Sequence, residues 1–115
     1  MMIVIRGGRL FSATDGNVVA DGVVAINEGR IAYAGPRSGF VQPQEEATLI
    51  DAGGRTVLPG LIDLHVHMII TYKRPVEYHL ERAIGATMMN GVANCERALR
   101  AGITAVRDCG AGHLG

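Results

Sequence analysis

The chain has 115 residues, with apolar side chains at 48% and charged side chains at 19%, a composition that excludes a disordered tail and allows one small domain with a modest core. Eleven basic and eleven acidic side chains cancel, which argues against nucleic acid or an anionic membrane as the main partner. No apolar run reaches the ~18 residues of a membrane span, the N-terminus lacks the pattern of a signal peptide, and two cysteines, Cys95 and Cys109, are too few for a disulfide framework; a reducing cytoplasm is the simplest setting.

Sixteen glycines punctuate the chain rather than clustering in a linker, which marks short strands and turns. Residues 1–58 read as β. Ile3, Val4 and Ile5 open a strand that can continue through Leu10 and Phe11, and Asp15-Gly16 is a turn signal. Val23–Ile26 and Ile31–Ala34 flank Asn27-Glu28-Gly29-Arg30, a hairpin loop in which Asn and Gly tolerate positive φ. Residues 36–47 have the composition of a surface loop. Thr48–Asp51 and Thr56–Leu58 bracket the Gly53-Gly54 turn.

Pro59-Gly60 changes the texture. Leu61 to Ile70 is apolar except for Asp63, His65 and His67. Residues 75–101 are helical in period: Leu80, Ile84, Met88, Val92, Cys95 and Leu99 form one apolar stripe. Pro75 suits the first helical position and Gly102 the position past the end, while Gly85 marks a plausible break. Cys95, on the stripe, is expected to be buried and inert. Ile103–Val106 is a second buried strand. The order from residue 61 is strand, helix, strand.

On a strand, side chains alternate faces. Leu61, Asp63, His65 and His67 then share one face, and Ile62, Leu64, Val66 and Met68 the other. The even face is aliphatic and suits burial under helices. The odd face gathers two imidazoles and a carboxylate, which are costly to bury without a partner. Histidines at i and i+2 on a strand sit roughly 6.5–7 Å apart on one side, within reach of one metal at ~2.0–2.1 Å per Zn–N bond; on a helix the same spacing would turn them about 200° apart. By itself the pair leaves two readings open, metal ligands or hydrogen-bonded core histidines.

The wording around the pair narrows the choice. Leu58-Pro59-Gly60-Leu61-Ile62-Asp63-Leu64-His65-Val66-His67 resembles the first barrel strand of the amidohydrolase superfamily. Asn27–Ile31 with Ala34-Gly35, and Ile50–Val57, resemble its small β-sandwich, and Ala101–Asp108 resembles its second barrel strand. The resemblance implies an α/β architecture. Residues 1–58 would be the N-terminal part of a β-sandwich domain, and residues 59–115 the start of an incomplete (β/α)8 barrel, a fold of ~250 residues. It implies that His65 and His67 bind the more buried of one or two divalent metal ions, with zinc the expected ion, and that Asp63 orients a ligand. Aspartate at that place resembles the amide and cyclic-amide hydrolases, where the deaminases more often have Asn.

The superfamily's remaining ligands, a carboxylated lysine or glutamate, two histidines and a proton-handling aspartate, come from later strands that this sequence does not contain. His79, near the helix start, is expected at the surface. Asp108 and His113, after the second strand, are candidates to line the substrate pocket, and Cys109 reads as pocket wall or packing. The implied reaction is hydrolysis of a C–N bond by a metal-activated water. Dipeptides, acylated amino acids or cyclic amides are the expected small-molecule substrates, with phosphoesters or lactones the alternative. The chain reads as a fragment that is inactive alone. The competing reading is a β-rich module that binds a partner or forms a homo-oligomer through unpaired strand edges.

Overall fold

The computed structural model describes residues 1–41, 46–70 and 84–110. They fall into two compact units, Met1–Pro59 and Gly60–Gly115.

The first unit is one mixed five-stranded sheet. Its strands are β1 (Met2–Phe11), β2 (Val18–Asn27), β3 (Arg30–Pro36), β4 (Ala47–Asp51) and β5 (Thr56–Val57). The order is β3-β2-β1-β4, with β5 also on β1. Strand β1 is antiparallel to β2, and parallel to β4 over Met2–Arg6 and to β5 over Arg9–Leu10. One strand therefore serves two successive partners. Residues 52–55 carry the chain between them, held by Ala52 N–H on the Arg6 carbonyl and Arg9 N–H on the Arg55 carbonyl (2.7 and 3.0 Å).

Period-2 alternation supplies the core. Val4, Val23 and Ala25 are buried on one face, with Met2, Tyr33, Phe40 and Ala47 packed around them. The β2–β3 hairpin forms where the sequence places it, with one difference. Asn27 ends β2, and the positive φ angles fall on Glu28 and Gly29 (50° and 75°). Two residues at positive φ match the right-handed twist of the flanking strands, and the strand register fixes which two residues take the turn. The segment after β3 is not all surface loop. Arg37–Gly39 is a 3₁₀ turn, the Tyr33 hydroxyl donates to the Pro36 carbonyl (2.5 Å), and the Phe40 ring packs at 5.4 Å from that of Tyr33. An aromatic side chain at position 40 draws its backbone back onto the core.

The second unit contains β6 (Leu61–Val66), helix α1 (Ile84–Arg100) and β7 (Ile103–Asp108). The two strands are parallel and pair only with each other among the described residues. Gly102, at φ 84°, stops the helix in the left-handed conformation expected after its last turn. Gly60 begins the strand where there is no room for a side chain: a Cβ there would lie 2.0 Å from the Thr104 hydroxyl. The expected helical start at Pro75 and the surface position of His79 lie outside the described residues, as does His113.

Two expectations are corrected here. The strand at 61–66 is not buried: Ile62 and Leu64 are 67% and 64% exposed, because no described residue covers their face. The helix is turned the other way from its apolar stripe. Ile84, Met88, Met89, Val92 and Leu99 are exposed, and so is Cys95, which was expected in the core. The covered face carries Thr87, Asn90, Gly91, Asn94 and Ala98 instead. Small and polar residues allow close approach, and Gly91 lies under Ile69.

Candidate metal centre

Strand β6 positions the histidines. His65 lies within it and His67 one residue beyond its end. Their ring centroids are 5.3 Å apart and inclined at 69°, so the two imidazoles stand on one side of the strand, as the alternation requires. Both are exposed. The Asp63 carboxylate, half-buried on the same strand, accepts from the His65 backbone N–H at 3.1 Å.

The strand ends are bound together by side chains that reach across the pair. Asp108, the last residue of β7, uses both carboxylate oxygens. Oδ2 accepts from Met68 N–H (3.1 Å) and Oδ1 from Gly110 N–H (2.9 Å). The Gly110 N–H holds the Asp108 carboxyl below the ordinary carboxylate range, against a smaller desolvation effect and with further help from the Met68 N–H. Arg107 does not pair with Asp108. Its Nε donates to the Leu64 carbonyl (2.9 Å), where the ladder between β6 and β7 is irregular. Cys109 continues the pairing through its N–H on the Val66 carbonyl (2.9 Å), and its thiol lies 3.7 Å from the Leu64 and Arg107 carbonyls.

Two participants are absent from the sequence reading. Asn94, half-buried on α1, donates from Nδ2 to the Met68 and Ile70 carbonyls (2.6 and 3.1 Å), fixing the turn after His67. The Gly110 carbonyl lies 3.3 Å from His67 Nδ1. A carbonyl only accepts, so this contact requires a proton on Nδ1, and in the neutral ring Nε2 then keeps its lone pair. For the first, the sequence offers only a polar residue within the helix, because periodicity does not say which face meets the strands. The second depends on a backbone carbonyl and carries no residue-type signal.

The donor chemistry fits part of a metal site. Two neutral imidazoles suit zinc and similar ions, and a ring nitrogen tied to a backbone carbonyl is the usual companion of a histidine ligand. A catalytic zinc takes about three protein ligands, and among the described residues no group of three or more His, Cys, Asp or Glu side chains gathers.

Over 94 residues the chain is 38% identical to imidazolonepropionase of Solibacter usitatus, covering 81% of this chain and 22% of that one. Over 67 residues it is 48% identical to adenine deaminase of Rubrobacter xylanophilus, covering 57% and 11%. Its structure superposes on a prolidase complexed with N-methylphosphonate-L-proline with a TM-score of 0.81 and 27% identity, over 96% of this chain and 26% of that one. The chain is similar to the N-terminal portions of these proteins and to that of a solved structure named as an amidohydrolase, with a TM-score of 0.81 and 25% identity. It spans about a quarter of their length or less. No family model matches. Among the described residues, no helix is long and apolar enough to cross a membrane.

Proposed function

We propose that this chain is the N-terminal part of a cytoplasmic, metal-dependent hydrolase of C–N bonds. In this reading residues 1–58 begin a β-sandwich domain, residues 59–115 begin a (β/α)8 barrel, and His65 and His67 hold a divalent ion, zinc by preference. The observation that supports it most is the histidine pair, its rings 5.3 Å apart on one side of the first strand of a β-α-β unit.

The bound ion would supply Lewis acidity, activating water and polarising the carbon under attack. The chain's own residues do the positioning. His65 and His67 offer ring nitrogens from one side of β6. Asp63 fixes the backbone at His65, and Asn94 fixes the turn after His67. The substrate class is a small molecule with an amide, peptide or cyclic-amide bond. The named relatives are an imidazolonepropionase and an adenine deaminase, and the structural neighbour is a prolidase complexed with N-methylphosphonate-L-proline. Asp63, in place of asparagine, favours the amide side of that range. Among the described residues no third His, Cys, Asp or Glu joins the pair, so in this reading further ligands and the group that moves the proton are supplied by other residues of the full enzyme.

The test is made in the longest protein that the gene encodes. His65→Ala and His67→Ala are expected to abolish hydrolysis of a panel of dipeptides, acylated amino acids and cyclic amides and to lower bound zinc. Asp63→Asn is expected to retain metal with turnover reduced ~10–100-fold, the range for groups that touch a ligand rather than the ion. Wild-type metal content and rate in both histidine variants would make the pair a packing feature and defeat the proposal.

A further inference from the structure

The proposed metal role of His67 raises the question of what sets its ring. An imidazole ligand presents the correct lone pair only in one tautomer, and the choice is made by the partner of the other nitrogen. Here that partner is the Gly110 carbonyl, at 3.3 Å from Nδ1. Gly110 lies beyond the end of β7, where strand pairing no longer dictates its place. Its N–H donates to Asp108 Oδ1 at 2.9 Å, and the other oxygen of the same carboxylate takes the Met68 N–H at 3.1 Å. One carboxylate thus grips the backbone next to His67 and the backbone of the residue whose carbonyl faces the His67 ring.

We propose that Asp108 is a positioning residue. By bridging Met68 and Gly110 it presents the Gly110 carbonyl to His67 Nδ1 and so selects the tautomer whose free lone pair is on Nε2. Asp108 then acts on the metal ligand through the backbone and touches neither ion nor substrate. The arrangement is self-contained: the acceptor, the clamp and the ring are all in the second unit. Asn94 holds the same turn from the helix side through the Met68 and Ile70 carbonyls. The role rests on the metal-ligand reading only for its purpose. The tautomer itself is a property of the metal-free chain.

The experiment uses the 115-residue chain without metal, labelled with nitrogen-15, above the imidazole pKa of about 6.5. Long-range proton–nitrogen correlation reads which ring nitrogen of His67 carries the proton. Wild type is expected to hold it mainly on Nδ1. Asp108→Ala is expected to move the majority to Nε2, and Asp108→Asn, which keeps the shape but accepts only once, to fall between. Arg107→Ala removes a different bond across the same strands and is expected to leave the tautomer unchanged, which separates clamping from general loosening. If Asp108→Ala does not fold, the comparison of wild type with Asp108→Asn carries the test. A wild-type His67 protonated on Nε2, or the same ratio in wild type and the Asp108 variants, overturns the proposal. Zinc titration of the same proteins is a separate readout: Asp108→Ala is expected to weaken binding ~10–100-fold. Zinc binding unaffected by His67→Ala would defeat the metal reading while leaving the tautomer result standing.

Discussion

The Asn94 side-chain amide donates to the Met68 carbonyl at 2.6 Å, tying the middle of helix α1 to the turn immediately after His67. The same nitrogen reaches the Ile70 carbonyl at 3.1 Å, and the Asn94 Oδ1 accepts from the Arg97 guanidinium at 2.9 Å. A half-buried amide with every group engaged is costly to replace with an apolar side chain, because the two carbonyls lose their donor.

Asn94→Leu is therefore expected to destabilise the second unit by about 1–3 kcal/mol, the range for orphaned polar groups. Urea unfolding, followed by hydrogen exchange at Met68 to Ile70, checks it. An unchanged midpoint with unchanged protection at the turn would show that the amide contributes nothing there.

Gly60 gives a steric prediction. A Cβ at this position would meet the Thr104 side chain at 2.0–2.7 Å, well inside contact. Gly60→Ala is expected to cost about 1–3 kcal/mol, as overpacking does, and Thr104→Gly introduced into Gly60→Ala should recover part of the loss. Thermal melts of the two single variants and the double variant measure the coupling. Strict additivity would mean that the strands do not approach closely at this point.

The outward apolar stripe makes a third. Val92 is 64% exposed and Cys95 is exposed. Val92→Lys in this chain is expected to change stability by no more than about 0.5 kcal/mol, as at other surface positions, and Cys95 should react with a thiol reagent in the folded state. A large loss on Val92→Lys together with protection of Cys95 until denaturation would restore the buried stripe.

These cases show where the sequence was informative. The strands of the first unit were legible because β-branched residues alternate and glycines separate them; Ile3–Ile5, Val23–Ile26 and Thr48–Asp51 all lie in strands. The β-α-β order was legible because the apolar period changes from two to about 3.6 between Leu61–Ile70 and the helix, and back again after Gly102. The helix orientation was not. Periodicity gives the existence of an apolar stripe at Ile84, Met88, Val92 and Leu99, but not which face meets the neighbouring strands. Thr87, Gly91 and Asn94 took that place through close approach and hydrogen bonding to the turn. At the candidate site, the pairing of His65 with His67 followed from strand geometry alone. The hold on His67 did not, because Gly110 contributes a carbonyl, which every residue type has. Asp108 was visible as a polar residue at a strand end, though not as a group with both oxygens committed to backbone.

Among the described residues, the contacts around the histidine pair lie between Asp63 and Gly110, with Asn94 and Asp108 as the cross-links. Their order along the chain therefore has a temporal meaning during synthesis. A nascent polypeptide carries all the partners of these contacts once residue 110 has cleared the ribosome, and none of them draws on a residue after it. The described hold on the His67 ring and on the backbone at His65 can therefore form without waiting for residues that follow Gly110.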